Sequence, residues 1–370
     1  MIGSFIEHFS ELQDPRIERK KLHALMDILI LTVCAVVSGA EGWEAIAEFG
    51  HAKLDWLRRF IPLKNGVPSH DCIAYVISRL SPEGFRRCFM SWTEGVREKT
   101  MGEVIAVDGK TARGSRDRAK NRNPLHMVSA WADANRLVLG QEATEEKSNE
   151  ITAIPKLLAL LDLHGCIVTI DAMGCQRALA ERIVDQGGDY VLGLKGNQGS
   201  LHEAVEEYFT TAQAANFKNV PYHYTEEIDN EHGRLEIRRY WITEDLCTLP
   251  RTELWKGLRS IGLVERECWV GETRSIERRY FINSIAADAK QFAYAVRGHW
   301  SVENRLHWRL DVVFREDDSR IRKGNAPAIM TAIRHLCVNL FQKEPSNLSL
   351  KKKRLKAAWD DDFRGKVLFA

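Results

Sequence analysis

Two short apolar runs in this chain each end on an aspartate, and that repetition constrains the fold more than any other feature. The first is Val104-Ile105-Ala106-Val107, followed by Asp108 and the small basic turn Gly109-Lys110-Thr111. The second is Cys166-Ile167-Val168-Thr169-Ile170, followed by Asp171 and Ala172-Met173-Gly174. Apolar runs of this length, bounded by turn residues, read as short buried strands. One aspartate at a strand end commonly caps a helix or forms a turn. Two strands that each deliver a carboxylate at the carboxyl end supply the oxygen ligands of a divalent-metal site.

The elements around these strands give a topology. Leu125–Trp131 and Leu137–Ala143 flank the turn Asp133-Ala134-Asn135-Arg136, a hairpin signal. Lys147-Ser148-Asn149-Glu150 leads into a helix over Ile151–Asp162, whose Ile154, Leu157, Leu158 and Leu161 form one face. After the Asp171 strand come a helix from about Gln176 to Gln186 and a strand Tyr190–Leu194 ending at Lys195-Gly196-Asn197. The order strand, strand, strand, helix, strand, helix, strand is that of an α/β, ribonuclease H-like mixed sheet with flanking helices. In that order Asp108 and Asp171 lie on neighbouring strands, so their carboxylates converge.

The rest of the chain divides around this core. Residues 1–100 read as a helical domain, with a basic patch from Arg16 to Lys21 and helix starts at Ser69 and Ser81-Pro82. Such a unit serves DNA binding or packing and dimerisation. Residues 101–200 form the first part of the core. Residues 201–288 form a mostly β insertion, with strands over Tyr222–Glu227, Arg234–Ile242, Gly262–Val270 and Arg278–Ser284. Residues 289–345 complete the core. Its helix Ala289–Phe314 carries Phe292, Val296, His299, Glu303, Leu306, Leu310 and Val313 along one stripe. That stripe places Glu303 on the inward face, where a carboxylate needs a partner because burying a lone charge is costly. Either a salt bridge to Arg297 or Arg305 provides it, or Glu303 is the third ligand beside Asp108 and Asp171. Residues 346–370 form a basic tail centred on Lys351–Lys356.

Composition narrows the class without deciding it. The 370 residues can bury a sizeable core, and 44% hydrophobic with 28% charged residues describes an ordinary folded protein. A net charge of +2 is too small to argue for nucleic acid by itself. The eight scattered cysteines hold no Cys-x-x-Cys pair, which suits a reducing compartment and offers no zinc or disulfide framework. With no basic-then-apolar leader at the start and no run long enough to span a bilayer, the expected location is the cytoplasm.

Several ordered segments resemble a known family. DGKTARGS, EKSNEITAIPKLLALLDLHGCIVTIDAMGCQ, DYVLGLKGNQ and RGHWSVENRLHWRLDVVFREDDSR look like the insertion-sequence transposases of the ISAs type, which include the H-repeat-associated proteins. DPRIERKK and PSHDCIAYVISRLSP extend the resemblance over nearly the whole chain. It implies a DDE catalytic core of ribonuclease H-like fold, a β insertion before the last acidic helix, and double-stranded DNA as substrate. It carries over Asp108, Asp171 and Glu303 as the acidic triad. Related transposases carry a Tyr-x2-Arg-x3-Glu-x6-Lys signature, and here the match is incomplete. Tyr294 and Arg297 fit, but Glu303 follows two residues too late and Leu310 stands where the lysine would be. The lysine's role then falls to Arg305, Arg309 or His307, or to no residue, and Asp311 and Glu316 are secondary choices for the third acid.

The expected chemistry is phosphoryl transfer with two Mg2+ ions roughly 3.5–4 Å apart, Mn2+ being a substitute. Lys110, Arg113, Lys195 and Asn197 at strand ends, with Arg297, His299, Trp300, Asn304, Arg305 and His307 from the helix, are the expected DNA contacts. A homodimer or larger synaptic complex is expected, because two DNA ends must be joined. Two other readings compete: a catalytically silent DNA-binding relic or regulator of the same fold, and a zinc hydrolase built on His299, Glu303 and His307. The zinc reading leaves both aspartates unexplained and lacks the His-Glu-x-x-His spacing.

Overall fold

The computed structural model describes residues 2–144, 149–218, 220–231 and 233–369. Lys147 and Ser148, expected to lead into the first core helix, lie outside them. Six helices come first: α1 (Ile2–Phe9), α2 (Leu25–Val37), α3 (Trp43–Ala52), α4 (Leu54–Leu57), α5 (His70–Ile77) and α6 (Pro82–Val96). The two expected starts are confirmed by their caps, since the hydroxyls of Ser69 and Ser81 accept from the backbone N–H of Cys72 and Gly84.

The sheet follows the expected order and then exceeds it. Strands β1 (Val104–Ala112), β2 (Leu125–Ala132) and β3 (Leu137–Ala143) form an antiparallel meander. Helix α7 (Glu150–Leu158), β4 (Ile167–Ile170), α8 (Arg177–Asp185), β5 (Asp189–Leu194) and α9 (Gly199–Ala214) come next. β4 and β5 run parallel to β1, giving the order β3-β2-β1-β4-β5. The insertion supplies β6 (His223–Glu231), β7 (Arg234–Thr243), β8 (Ser260–Val270) and β9 (Thr273–Asn283). These strands join the same sheet: β9 pairs antiparallel with β5, and nine strands run β3-β2-β1-β4-β5-β9-β8-β7-β6.

One expectation about β1 needs correction. The strand does not stop at Asp108; it continues to Ala112. β4 covers its edge only over Val104–Val107, whereas β2 pairs with it from Ile105 to Ala112. Antiparallel pairing on one edge keeps the backbone extended while the other edge is released from the sheet. Asp108 is therefore the first residue of β1 beyond the cover of β4.

Helix α10 (Ala289–Val302) lies across the sheet. Two glycines permit the close approach. A Cβ at Gly298 would meet Val104 Cγ1 at 2.7 Å, and one at Gly262 would meet the Phe292 ring at 2.3 Å. Trp131 Nε1 donates to Ser301 Oγ at 3.0 Å, fixing the helix lengthwise on β2. The single helix expected over Ala289–Phe314 is interrupted by a π-helical turn, Glu303–His307, before α11 (Trp308–Val312). Helix α12 (Ala326–Lys343) is buried along most of its length between the sheet and the N-terminal helices.

The basic run expected as a tail folds into α13 (Leu350–Trp359), followed by α14 (Asp361–Phe369). Lys353 is buried and donates to Phe341 O at 2.9 Å, and Arg354 donates to Val36 O at 3.2 Å. Those two charges thus satisfy backbone carbonyls inside the fold. Phe5, Leu31, Trp92, Leu306, Leu336 and Leu368 belong to one apolar core, so the N-terminal and C-terminal helices pack as one body around α12.

Replacing Gly298 by Ala should force α10 off β1 and destabilise the protein by about 1–3 kcal/mol, read as a lower urea midpoint at unchanged slope.

Candidate active site

Asp108 stands at the open edge of β1, beside the strand β4 that ends on Asp171. Asp108 accepts from Gly109 N at 2.9 Å, and its Oδ2 lies 3.5 Å from His307 Nδ1. Asp171 leaves β4 directly and caps a short 3-10 turn, with Oδ1 accepting from Met173 N at 3.0 Å and Gly174 N at 3.3 Å. Asn197 follows β5 and donates to Ala172 O at 2.7 Å, so it ties down the Asp171 turn. Glu303 opens the π turn. Contrary to the inward placement its helical stripe predicts, Glu303 is exposed, while Leu306 and Leu310 are buried. The wider π turn shifts the helical phase at this point, and such bulges concentrate at functional sites.

Electrostatics link these residues. Burial pushes the Asp108 carboxyl up to about 7; the Gly109 N–H opposes the shift, and the neighbouring charges of Glu150, Asp171 and Glu303 reinforce it. Three carboxylates therefore act on a fourth that is mostly shielded from water. Glu150 itself is paired with His126, Oε1 lying 2.7 Å from Nε2. His307 is pushed down to about 3 by burial and by the Lys110 cation, so it stands neutral against Asp108.

The expected DNA contacts fall into two groups. Lys195, Arg297 and Asn304 are exposed at the rim. Among the described residues, Arg297 has one long pairing, 3.8 Å, with Glu227. Trp300 is covered by the Arg279 guanidinium at 4.2 Å. Other residues are engaged within the protein. Lys110 pairs with Asp311 at 2.7 Å and with Glu316 and Asp317 at 3.3 Å, and Arg305 pairs with Asp133 at 3.1 Å. Exposed Arg113 approaches Asp317 at 3.4 Å, and His299 Nδ1 lies 3.1 Å from Thr169 Oγ1. Glu316 is buried, with Oε1 accepting from Thr331 at 3.0 Å and from Arg334 at 3.4 Å. Its charge is thereby neutralised inside the fold, along with that of Asp311.

A cavity of about 260 Å³ opens beside Glu303, lined by Arg234, Arg238, Arg266, Arg279 and Arg297 as well as Glu236 and Trp300. A smaller one, about 110 Å³, adjoins Asp171, Lys195 and His299. Four arginines of the larger cavity are paired with acids that line it: Arg234, Arg238 and Arg266 with Glu236, and Arg279 with Glu277.

Residues 99–340 match the family described as the transposase DDE domain, and residues 6–93 match its associated N-terminal region, DDE_Tnp_1-associated. The chain belongs to the DDE transposase family. Its similarity to individual proteins of that family is extensive. It is 44% identical to the H repeat-associated putative transposase YhhI of Escherichia coli strain K12, over 99% of this chain and 98% of that one. It is 44% identical to the putative transposase YncI of Escherichia coli O157:H7, over 99% and 95% respectively. It is 43% identical to the putative protein YbfL of Escherichia coli strain K12, over 99% and 98%. The chain is therefore a transposase, an enzyme class that cuts and joins DNA. No helix among the described residues is long and apolar enough to cross a membrane.

The side chains near Asp108 offer oxygen donors, the kind a hard cation takes. They are carboxylate oxygens whose mutual repulsion is felt at Asp108, and a divalent ion would relieve it. Among the described residues, no group of three or more His, Cys, Asp or Glu side chains stands close enough to enclose an ion. The single metal pocket expected of Asp108, Asp171 and Glu303 is therefore not assembled among the described residues. His299 and His307 face Thr169 and Asp108, respectively, while Glu303 is exposed, so the zinc arrangement is not assembled.

The raised Asp108 sets a pH signature. In the unfolded chain this carboxyl ionises near 3.8, so between roughly pH 4 and pH 7 the folded state holds the extra proton and loses stability as pH rises. Asp108→Asn removes that cost. In EDTA the variant should melt above the wild type at pH 8, with the difference vanishing near pH 4 by differential scanning calorimetry.

Proposed function

We propose that this transposase cuts DNA at the ends of an insertion sequence and joins the freed ends to target DNA, with Asp108, Asp171 and Glu303 as its catalytic acids. The observation that carries the reading is the position of buried Asp108, on β1 just past the cover of β4, the neighbouring strand that ends on Asp171. In cleavage a water oxygen attacks the phosphorus and the 3′-oxygen leaves. In joining, that 3′-hydroxyl attacks a target phosphodiester and displaces its 3′-oxygen in turn. Bound Mg2+, or Mn2+ in its place, supplies charge neutralisation and nucleophile activation. Asp108, Asp171 and Glu303 would hold the ions.

The chain's own residues orient these acids. Backbone N–H groups fix Asp171 Oδ1, Asn197 holds the turn behind it, and His307 contacts Asp108. Lys195, Arg297, Trp300 and Asn304 at the rim take the DNA, where phosphate contacts set register without encoding sequence. Lys110, Arg305, His299 and His307 contribute by holding the site's shape. Arg113 is exposed enough to exchange Asp317 for a phosphate. The protein works in the cytoplasm as a dimer or larger assembly, since two ends must be held for one joining reaction.

Asp108→Asn, Asp171→Asn and Glu303→Gln should each abolish metal-dependent nicking of an oligonucleotide carrying the element end. Each should retain binding to that oligonucleotide within a few-fold in a gel-shift assay. Nicking at the wild-type rate by any of the three would remove that residue from the triad. A wild-type protein that binds the end but never nicks it would instead be a silent relic.

A further inference from the structure

The loop that joins β1 to β2 is strongly basic. Arg116, Arg118, Lys120 and Arg122 occupy every second position, and Asp117 is the loop's one acid. All four cations are exposed, and none has an ion-pair partner among the described residues. Asp117 is committed to the turn itself. Its Oδ1 accepts from Lys120 N at 3.3 Å, and its backbone exchanges hydrogen bonds of 2.9 and 3.2 Å with Arg122. The tip is therefore a closed turn whose backbone is fixed and whose cationic side chains are free.

A second basic run is braced against this loop. Arg320, Arg322 and Lys323 follow the 3-10 turn Glu316–Asp318, with no acid over 319–325. Gly114 lets the two segments touch, since a Cβ there would meet Asp317 O at 2.5 Å and stand closer still to Ser319 O. Arg322 Nε donates to Gly114 O at 3.0 Å, and Arg113 N donates to Asp317 Oδ1 at 3.0 Å. On its far side the run is tied to the helical domain. Asn325 N donates to Ser78 O at 3.0 Å, and Asn325 Nδ2 donates to Leu80 O at 2.8 Å. Arg320 and Lys323 stay exposed, again with no ion pair among the described residues. With Lys120 they line one wall of an open cleft of about 650 Å³, whose other wall is the start of α3 at Trp43. Of the acids on that wall, Glu41 pairs with Arg315 at 3.4 Å and Arg354 at 3.8 Å, leaving Glu44 as its exposed charge.

Unpaired cations on two mutually braced segments suit a polyanion. The loop springs from the strand that carries Asp108, and about 14 Å of extended chain separates Asp108 from Ala112 at the end of β1. Each strand of duplex DNA advances about 3.4 Å per base pair, so that interval corresponds to about four base pairs. We infer that Arg116, Arg118, Lys120 and Arg122, together with Arg320 and Lys323, bind the phosphate backbone of the duplex about four or more base pairs from the cut. The inference rests on the DNA-cleaving reading of Asp108 given above and adds where the adjoining duplex lies. Cations of this kind hold phosphates without reading bases.

The test is binding of the full-length protein to an element-end duplex in EDTA, by gel shift across a salt series. One variant combines Arg118→Ala, Lys120→Ala, Arg320→Ala and Lys323→Ala. Each change removes an exposed charge, so the variant should melt like the wild type. Losing four phosphate contacts should lower the salt slope by about three to four and cut affinity about tenfold or more near 0.15 M salt. Wild-type affinity and slope would overturn the inference. An unrelated duplex should show the same drop, and a loss confined to the element end would overturn the assignment to the backbone. Ethylating phosphates about four or more base pairs from the cut should weaken binding by the wild type but not by the variant; interference that persists in the variant counts against the inference. Should the combined variant melt early, Arg320→Ala with Lys323→Ala carries the test, with an expected fall in slope of about two. A wild type that does not bind the end duplex would sink the DNA reading itself, an outcome distinct from a failure of these six cations.

Discussion

The unequal lengths of β1 and β4 leave β1 with one bare edge from Asp108 onward. β4 has four residues and β1 has nine, so β1 runs on past its parallel neighbour with one edge bare. Buried strands normally satisfy both edges, and an uncovered edge leaves backbone groups unpaired unless something else occupies the gap. Here the gap is lined by side chains. Asp108 lies at its start, Asp171 leaves β4 beside it, and the π turn of the crossing helix brings His307 into contact. The length of one edge pairing thus fixes where Asp108 and Asp171 leave the sheet.

Close packing of α10 on the sheet holds that arrangement. Gly298 against Val104 and Gly262 against Phe292 set the height of the helix above the strands, and Trp131 with Ser301 sets its position along them. The π turn then separates two tasks along one helix. Upstream of it, Phe292 and Val296 pack on the sheet. Downstream, Leu306 and Leu310 join the core shared with the N-terminal helices. Glu303, at the change from one core to the other, is left free of both.

Much of this was legible in the sequence because it is local or periodic. The two apolar runs ending on Asp108 and Asp171, the hairpin around Asp133 and the alternating strands of the insertion all carry their own signals. What stayed hidden depends on partners far along the chain. The stripe through His299, Glu303 and Leu306 reads as an unbroken helix, and residue spacing alone does not reveal a π turn. Lys110 looks like a free cation after a strand, yet its carboxylate partners lie some two hundred residues later at Asp311, Glu316 and Asp317. Glu150 reads as an ordinary acid in the first turn of a helix, where negative charge is favoured anyway. Its contact with Gly109 and His126 joins α7 to β1 and β2. The four strands of the insertion were legible singly, but their union with β5 requires the pairing of Val191 with Asn283, which no local pattern announces.

The way the chain's two ends share a core has a consequence for its synthesis. Arg364 on α14 is wholly buried, with its guanidinium 4.0 Å from the ring of Trp56, and Phe369 stacks on Phe60 at 3.8 Å. The apolar helix α2 is therefore fully enclosed only when the last two helices have left the ribosome. A nascent chain or truncated copy would display that surface unfinished and be exposed to chaperones, proteases or aggregation. Assembly of the helical half therefore waits on α13 and α14, which both pack against α2.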